Sequence, residues 1–232
     1  MTLKILSWNI WEGKYLTSVI GFLKKSDADI IGLQEVIQEK GGKENIAELI
    51  ASKLNYKFVY ATASQIEKDG KTVDKGEAIL SKHKIVGNKT HILSQTERRI
   101  AIEADIKVKN TILHVFNLHL IHTHQRPSDI QSLQVENLVR ILPIEATILM
   151  GDFNAIPQSA AIKRVSKVLK NTDNSGIPTW SVYPEGCEVC KPHSIEHKLD
   201  YIFTSEDIKS KLYKVKRSEG SDHLPVLAVI EV

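Results

Sequence analysis

The sequence predicts an α/β fold in which two mixed, mainly antiparallel β-sheets pack face to face with helices outside. Three observations carry this. Short apolar runs recur along the whole chain, and some, such as residues 29–34 and 147–150, are apolar on both faces as fully buried strands are. Ile100, Ile102, Ala104, Ile106 and Val108 alternate with period two, so that strand buries one face. Segments of helical spacing lie between the strands, which interleaves crossover connections with hairpins. The 232 residues, 42% hydrophobic and 25% charged, fit one domain over residues 1–232.

In order along the chain, residues 3–8 form a strand that ends at Asn9 before the turn-prone Trp11-Glu12-Gly13. Leu16, Val19, Ile20 and Leu23 recur at helical spacing, and residues 29–34 make a buried strand with Glu35 directly after it. A helix with Ile46, Leu49 and Ile50 inward leads to a strand over 56–60, and the polar run 64–75 reads as a loop. Strands over 76–81 and 85–93 follow, then the alternating strand, a turn at Asn110-Thr111, and an antiparallel return over 111–118 that delivers His119. The spacing predicts a helix over 127–142 with Ile130, Leu133, Leu138 and Ile141 on one side. A helix over 159–169 follows the strand that ends at Asp152, and no period survives across 171–198, a length usually functional or locally clamped. Strands over 199–203, 211–216 and 225–232 close the chain.

A net charge of +3 and a pI near 8.7 are too mild to announce a nucleic-acid partner by themselves. The first ten residues enter a strand without a basic, apolar leader, and no run approaches membrane-spanning length, so the expected location is the cytoplasm. Two cysteines exclude a disulfide framework.

The chemistry gathers where strands end. Asp152 and Asn154 lie on one side of an extended chain by period two, with Gly151 beside them to let the backbone approach a ligand closely. Asn9, Gln34-Glu35, Asn117-Leu118-His119, Asp200 and Ser221-Asp222-His223 occupy comparable positions. Mg²⁺ takes one or two carboxylates and completes its shell with water and phosphate oxygens, and Glu35 suits that role best. Each residue has an ordinary reading when taken singly: a solvent-facing glutamate, a polar turn at Asp152 or Asp222, a core histidine at His119. Those readings leave unexplained why nearly every buried strand ends in Asn, Glu, His or Asp.

The ordered set SWNIW, LQEV, GEAILSKHKI, FNLHL, MGDFNAIP, KLDYIF and SDHLPV, spanning residues 7–226, resembles the successive motifs of the endonuclease/exonuclease/phosphatase superfamily. The resemblance implies a four-layer α/β sandwich and Mg²⁺-dependent cleavage of phosphate esters, with Mn²⁺ as a substitute ion. By position it implies metal contacts from Glu35, Asn9 and Asp222, and water and phosphate positioning by Asp152 and Asn154. It also implies an Asp200–His223 pair that meets the phosphate as a cation, and a transition-state or leaving-group role for His119. Gln34-Glu35-Val36-Ile37 departs from the Gln-Glu-Thr-Lys of the apurinic endonuclease branch, and the histidine of FNLHL points to the deoxyribonuclease and sphingomyelinase branches. The expected substrate is a phosphate ester, nucleic acid first and a small molecule or lipid head group second, with no obligate protein partner. A catalytically silent binding module is disfavoured by the intact set.

One motif stands outside that resemblance. Cys187-x-x-Cys190 is followed by His193-x-x-x-His197, and both spacings suit tetrahedral zinc. Two free thiols with surface histidines, or a redox-sensitive C-x-x-C, are the alternatives.

Overall fold

The computed structural model describes residues 1–39 and 45–232. The first half runs β1 (Thr2–Asn9), α1 (Leu16–Ser26), β2 (Ile30–Glu39), α2 (Ile46–Leu54), β3 (Lys57–Lys68) and β4 (Lys71–Ser81). The second runs β5 (Lys84–Ser94), β6 (Arg99–Val108), β7 (Thr111–His119), α3 (Asp129–Ile141), β8 (Thr147–Asp152), α4 (Ala160–Val165), the two-residue β9 (Lys170–Asn171) and β10 (Asp200–Thr204). The closing strands β11 (Lys209–Val215) and β12 (Val226–Glu231) return to the first sheet. Among the described residues there are two six-stranded sheets, ordered β11-β12-β1-β2-β4-β3 and β5-β6-β7-β8-β10-β9. None of the described helices is long and apolar enough to cross a membrane.

Each sheet carries a parallel pair, β1/β2 in one and β7/β8 in the other, joined by a crossover through α1 or α3. The remaining pairings are antiparallel. Three apolar layers bind the stack. Leu3, Ile5, Ile30 and Ile79 of the first sheet meet Ile102, Val115, Ile148 and Ile202 of the second. Leu6, Trp8 and Ile31 pack outward with Val19, Leu23 and Ile50 of α1 and α2, while Phe116, Leu149 and Phe203 pack with Val135, Leu138 and Ile162 of α3 and α4. Alternation along each strand is what lets one sequence serve two layers.

Several local expectations change. The polar run 64–75 is not a loop but the continuation of a long β3–β4 hairpin, closed by Asp69-Gly70 with both residues left-handed at φ 50° and 73°. Asp-Gly is the two-residue turn that matches strand twist; the hairpin is polar because its tip faces solvent. Leu49 and Leu133 are exposed, at 43% and 52%. In α2 the small Ala47 and Ala51 let the helix sit close, and α3 turns Gln131, Gln134, Val135 and Leu138 inward at i, i+3, i+4, i+7. The helix expected over 159–169 ends at Val165, with Ser159 as its N-cap accepting from the Ile162 amide. Residues 171–198 are mostly irregular, as their aperiodicity implies.

Gly151 is required by the neighbouring strand. Its φ is +150°, and a Cβ there would lie 2.2 Å from the Leu118 carbonyl oxygen of β7. Gly151→Ala should destabilise the protein by roughly 2 kcal/mol or more, through overlap with backbone that cannot yield. Gly21→Ala, in α1 with open space around it, should stabilise by about 0.5–1 kcal/mol. Urea unfolding of the two variants checks this; equal shifts of the same sign would contradict it.

Candidate active site

The face of each strand that fills the inter-sheet layer changes from apolar to polar toward one edge. Ile5, Ser7 and Asn9 follow one another at period two on β1, Val115, Asn117 and His119 on β7, Ile148, Met150 and Asp152 on β8, and Ile202 and Asp200 on β10. Asn9 lies opposite Gln34, and His119 opposite Asp152, at the carboxyl ends of the two parallel pairs. That is where open α/β sheets leave room for ligands.

Glu35 reaches this edge through a β-bulge. Leu33 pairs with Ala78 and Val36 with Gly76, so Gln34 and Glu35 together face the single Glu77. Glu35 has φ 56°, and the extra residue turns its carboxylate to the side occupied by Gln34. Asn117 repairs the ladder the bulge interrupts: its Nδ2 donates to the Leu33 and Ala78 carbonyls at 2.8 and 2.9 Å, and its Oδ1 accepts from Gln34 Nε2 at 2.6 Å. Gln34 Nε2 also donates to Ser7 Oγ at 3.1 Å.

Asn9, Glu35, His119, Asp152, Asn154, Asp222 and His223 line one pocket of about 280 Å³, and Asp200 stands behind His223. Asp200 Oδ2 lies 2.9 Å from His223 Nδ1, and the far nitrogen, Nε2, is 3.6 Å from Asp152 Oδ2. Burial opposes charge on His223, but Asp200, Asp152 and Asp222 outweigh it and hold the imidazole well above its ordinary range. His119 goes the other way: burial, then Arg99, Lys75 and His223, push it well below that range. Burial lifts Asp152 to about 7, with the cationic His223 pulling against it, and likewise raises Asp222.

Backbone and side-chain contacts hold these groups. Asp152 Oδ1 accepts the Asn154 amide at 2.9 Å, and its Oδ2 accepts from Asn9 Nδ2 at 3.1 Å. Asn154, at φ 47°, donates through Nδ2 to the Leu120 carbonyl and meets His119 Nε2 at 2.9 Å. Ser221 Oγ donates to the Asn9 carbonyl, and Trp8 Nε1 donates to the His223 carbonyl.

Residues to which the sequence assigned no role in the site surround the pocket. Lys75, within the run read as a loop, pairs with Glu35 at 3.2 Å and Glu12 at 3.1 Å. Arg99 lines the pocket while its neighbour Arg98 faces solvent. Trp180 donates to Asp222 Oδ2 at 3.0 Å from inside the aperiodic stretch. Glu77 is wholly buried with Oε2 unpartnered, and burial raises it to about 8 against the pull of Arg99 and Lys75. Gln131 Nε2 donates to the Ile121, Phe153 and Asn154 carbonyls, and Gln134 Oε1 accepts the Ile121 amide. These two glutamines fasten the loops on either side of Asn154, and only the failed apolar stripe of α3 could have signalled them.

The cysteine cluster differs from expectation in its partners. Cys187 and Cys190 gather with His122 and His124, not with His193 and His197. His197 stacks on Trp180 at 6.1 Å, and His193 lines a separate cleft of about 580 Å³. The reason is that Lys191, left-handed at φ 45°, turns the chain away directly after Cys190.

A divalent cation fits the principal site. Glu35 and Asp222 present carboxylates to one small pocket with Asn9 beside them, and burial raises Asp222 even with His223 pulling the other way.

Two sheets with helices on both outer faces and a polar edge of this composition define a deoxyribonuclease-like α/β sandwich hydrolase. The family model for the endonuclease/exonuclease/phosphatase family matches residues 6–223, and the chain belongs to that family. Members of it hydrolyse phosphate esters and in general use divalent metals. Solved structures share the fold. A family protein from Leptotrichia buccalis superposes with a TM-score of 0.78 at 21% identity, covering 99% of this chain and 100% of that one. Mannosyl-6-phosphatase Bt3783 of Bacteroides thetaiotaomicron gives 0.73 at 21%, covering 99% and 100%. The human Nocturnin catalytic domain gives 0.71 at 18%, covering 99% and 93%. No curated protein sequence matches the chain.

The opposed histidine shifts have a direct readout. At pH 7, ¹⁵N NMR of the ring nitrogens should find His223 doubly protonated and His119 neutral. A neutral His223 would contradict the reading that Asp200, Asp152 and Asp222 outweigh its burial.

Proposed function

We propose that this protein is a divalent-metal-dependent phosphodiesterase acting on nucleic acid, with Mg²⁺ the expected ion and Mn²⁺ a substitute. The observation that carries the reading is His223, backed by Asp200 at 2.9 Å, set 3.6 Å from Asp152 in the same small pocket as Glu35. In-line phosphoryl transfer asks for cations and donors around a spreading negative charge and little covalent work. Glu35, Asp222 and Asn9 would hold the ion. When bound, the ion would polarise a phosphoryl oxygen and offset developing charge.

The protein's own groups divide the rest. Asp152, raised to about 7, is matched to taking a proton from an attacking water near neutrality. Asn154 fixes that carboxylate through its backbone amide, and its carboxamide orients His119. His223 meets the phosphate as a cation, and Asp200 keeps its ring in place. His119, kept neutral, stands beside Asp152 and Asn154 to steady the leaving-group side.

Nucleic acid is favoured by an aromatic rim. Trp11 lines the pocket and stacks on Tyr183 at 5.7 Å, with Tyr15 against Tyr183 and the Lys14 ammonium 3.6 Å over the Trp11 ring. Such a platform suits a base whose phosphate enters the pocket. A small phosphomonoester is the second reading, favoured by the pocket volume of about 280 Å³, at the low end for ligand sites.

Activity on a generic phosphodiester should vanish in EDTA and return with Mg²⁺ or Mn²⁺; turnover unchanged in excess chelator would refute the metal assignment. Asp152→Asn should lower kcat by roughly two to four decades without unfolding the protein. Glu35→Gln should raise the metal concentration needed for half-maximal rate. Trp11→Ala should raise KM for oligonucleotides and leave that for a small phosphomonoester unchanged. Equal effects on both substrates would remove the nucleic-acid preference.

A further inference from the structure

Beside the phosphate pocket, two loops that are distant in sequence bring four metal-ligating atoms together. His122 and His124 lie in the segment that follows β7, and Cys187 and Cys190 in the segment before β10. His122 Nε2 and His124 Nδ1 are 3.0 Å apart. Cys190 Sγ lies 3.1 Å from His124 Nδ1 and 3.7 Å from His122 Nε2, while Cys187 Sγ lies 3.8 and 4.0 Å from the same two atoms. Tetrahedral zinc with ordinary Zn–S and Zn–N bonds separates its nitrogens by about 3.3 Å and each sulfur from each nitrogen by about 3.6 Å. The observed distances straddle these values.

We propose that these residues form a structural zinc site, Cys187–Cys190–His122–His124, that clamps the two loops over the catalytic pocket. Binding exchanges two thiol protons for one Zn²⁺, leaving two thiolates and two neutral imidazoles around the ion with no net charge.

Three features show a site built for an ion. The Cys190 amide donates to Cys187 Sγ at 3.1 Å and the Lys191 amide donates to the Cys187 carbonyl, a tight turn that supports a thiolate. His124 and Gln125 are both left-handed, at φ 50° and 59°, which folds their segment back onto the thiols. His122 presents Nε2 because its Nδ1–H donates to Asn154 Oδ1 at 2.7 Å, the outer hydrogen bond that sets the ring of a metal-bound histidine.

That last contact links the clamp to the chemistry. Asn154 accepts from His122 on its oxygen and donates to Leu120 and His119 from its nitrogen, so an ion that fixes His122 also fixes the carboxamide that orients His119 beside Asp152. This consequence rests on the phosphodiesterase reading; the zinc site itself does not. His122 and His124 precede the thiols by more than sixty residues, so closing this loop restrains both segments together.

The test is elemental analysis of the purified full-length protein, read without substrate. About one zinc per chain is expected, lost in Cys187→Ser/Cys190→Ser and in His124→Ala, and retained in His193→Ala and in Glu35→Gln. Because His124 is exposed, its variant should stay folded by circular dichroism while residues 184–198 become cleavable by protease. Cobalt in place of zinc should give thiolate charge-transfer absorption that disappears in the cysteine variant. Zinc absent from protein refolded with the metal would overturn the inference, as would zinc retained after both cysteines are replaced, or a Cys187–Cys190 disulfide found by mass spectrometry. A protein that holds zinc here yet cleaves no phosphate ester would leave this site standing and remove only the functional reading.

Discussion

The carboxamide of Asn117 crosses from one sheet to the other and donates to two carbonyls that a bulge in β2 has freed. Leaving those buried carbonyls unpartnered would cost about 1–3 kcal/mol each, so the bulge and the asparagine stand or fall together. The bulge is what turns Glu35 into the pocket rather than outward toward α1 and α2. Gln34 ties the same carboxamide to Ser7 of β1, and the next residue on that face of β1 is Asn9. A line of polar groups therefore continues the inter-sheet core without a break until it becomes the site.

From this arrangement follows the electrostatic division within the pocket. Two buried histidines lie on either side of Asp152, at 3.4 and 3.6 Å from its Oδ2, and their affinities for a proton move in opposite directions. Three acids surround His223, whereas Arg99 and Lys75 oppose charge on His119 after burial has already done so. Groups whose proton affinities are driven apart can take different parts in one reaction. Lys75 completes the balance by pairing with Glu35 and Glu12 at the pocket wall.

Much of this was legible from residues alone, and what was not has physical causes. Strand ends could be read because buried strands are continuous apolar runs, so a terminal Asp, Asn or His stands out. The β3–β4 hairpin was missed because its outer half is polar on both faces, although Asp69-Gly70 is itself a turn signal. The stripe on α3 was misplaced because Gln131 and Gln134 are buried to satisfy loop backbone, which no hydrophobic period reveals. For the cysteines, local spacing identified the thiols, but folding supplied histidines from the segment after β7. Lys75 and Trp180 had no pattern of their own and acquire meaning only from what they touch.

The most direct test of the central claim, that the Asn117-supported bulge aims Glu35 at the reaction, is a double-mutant cycle on kcat/KM with Glu35→Gln and Asn117→Ala. All variants are to be assayed at a temperature where each remains folded. If the asparagine acts through Glu35, the double variant should be little slower than the worse single variant. Losses that multiply, or an Asn117→Ala enzyme as fast as the parent, would contradict the account.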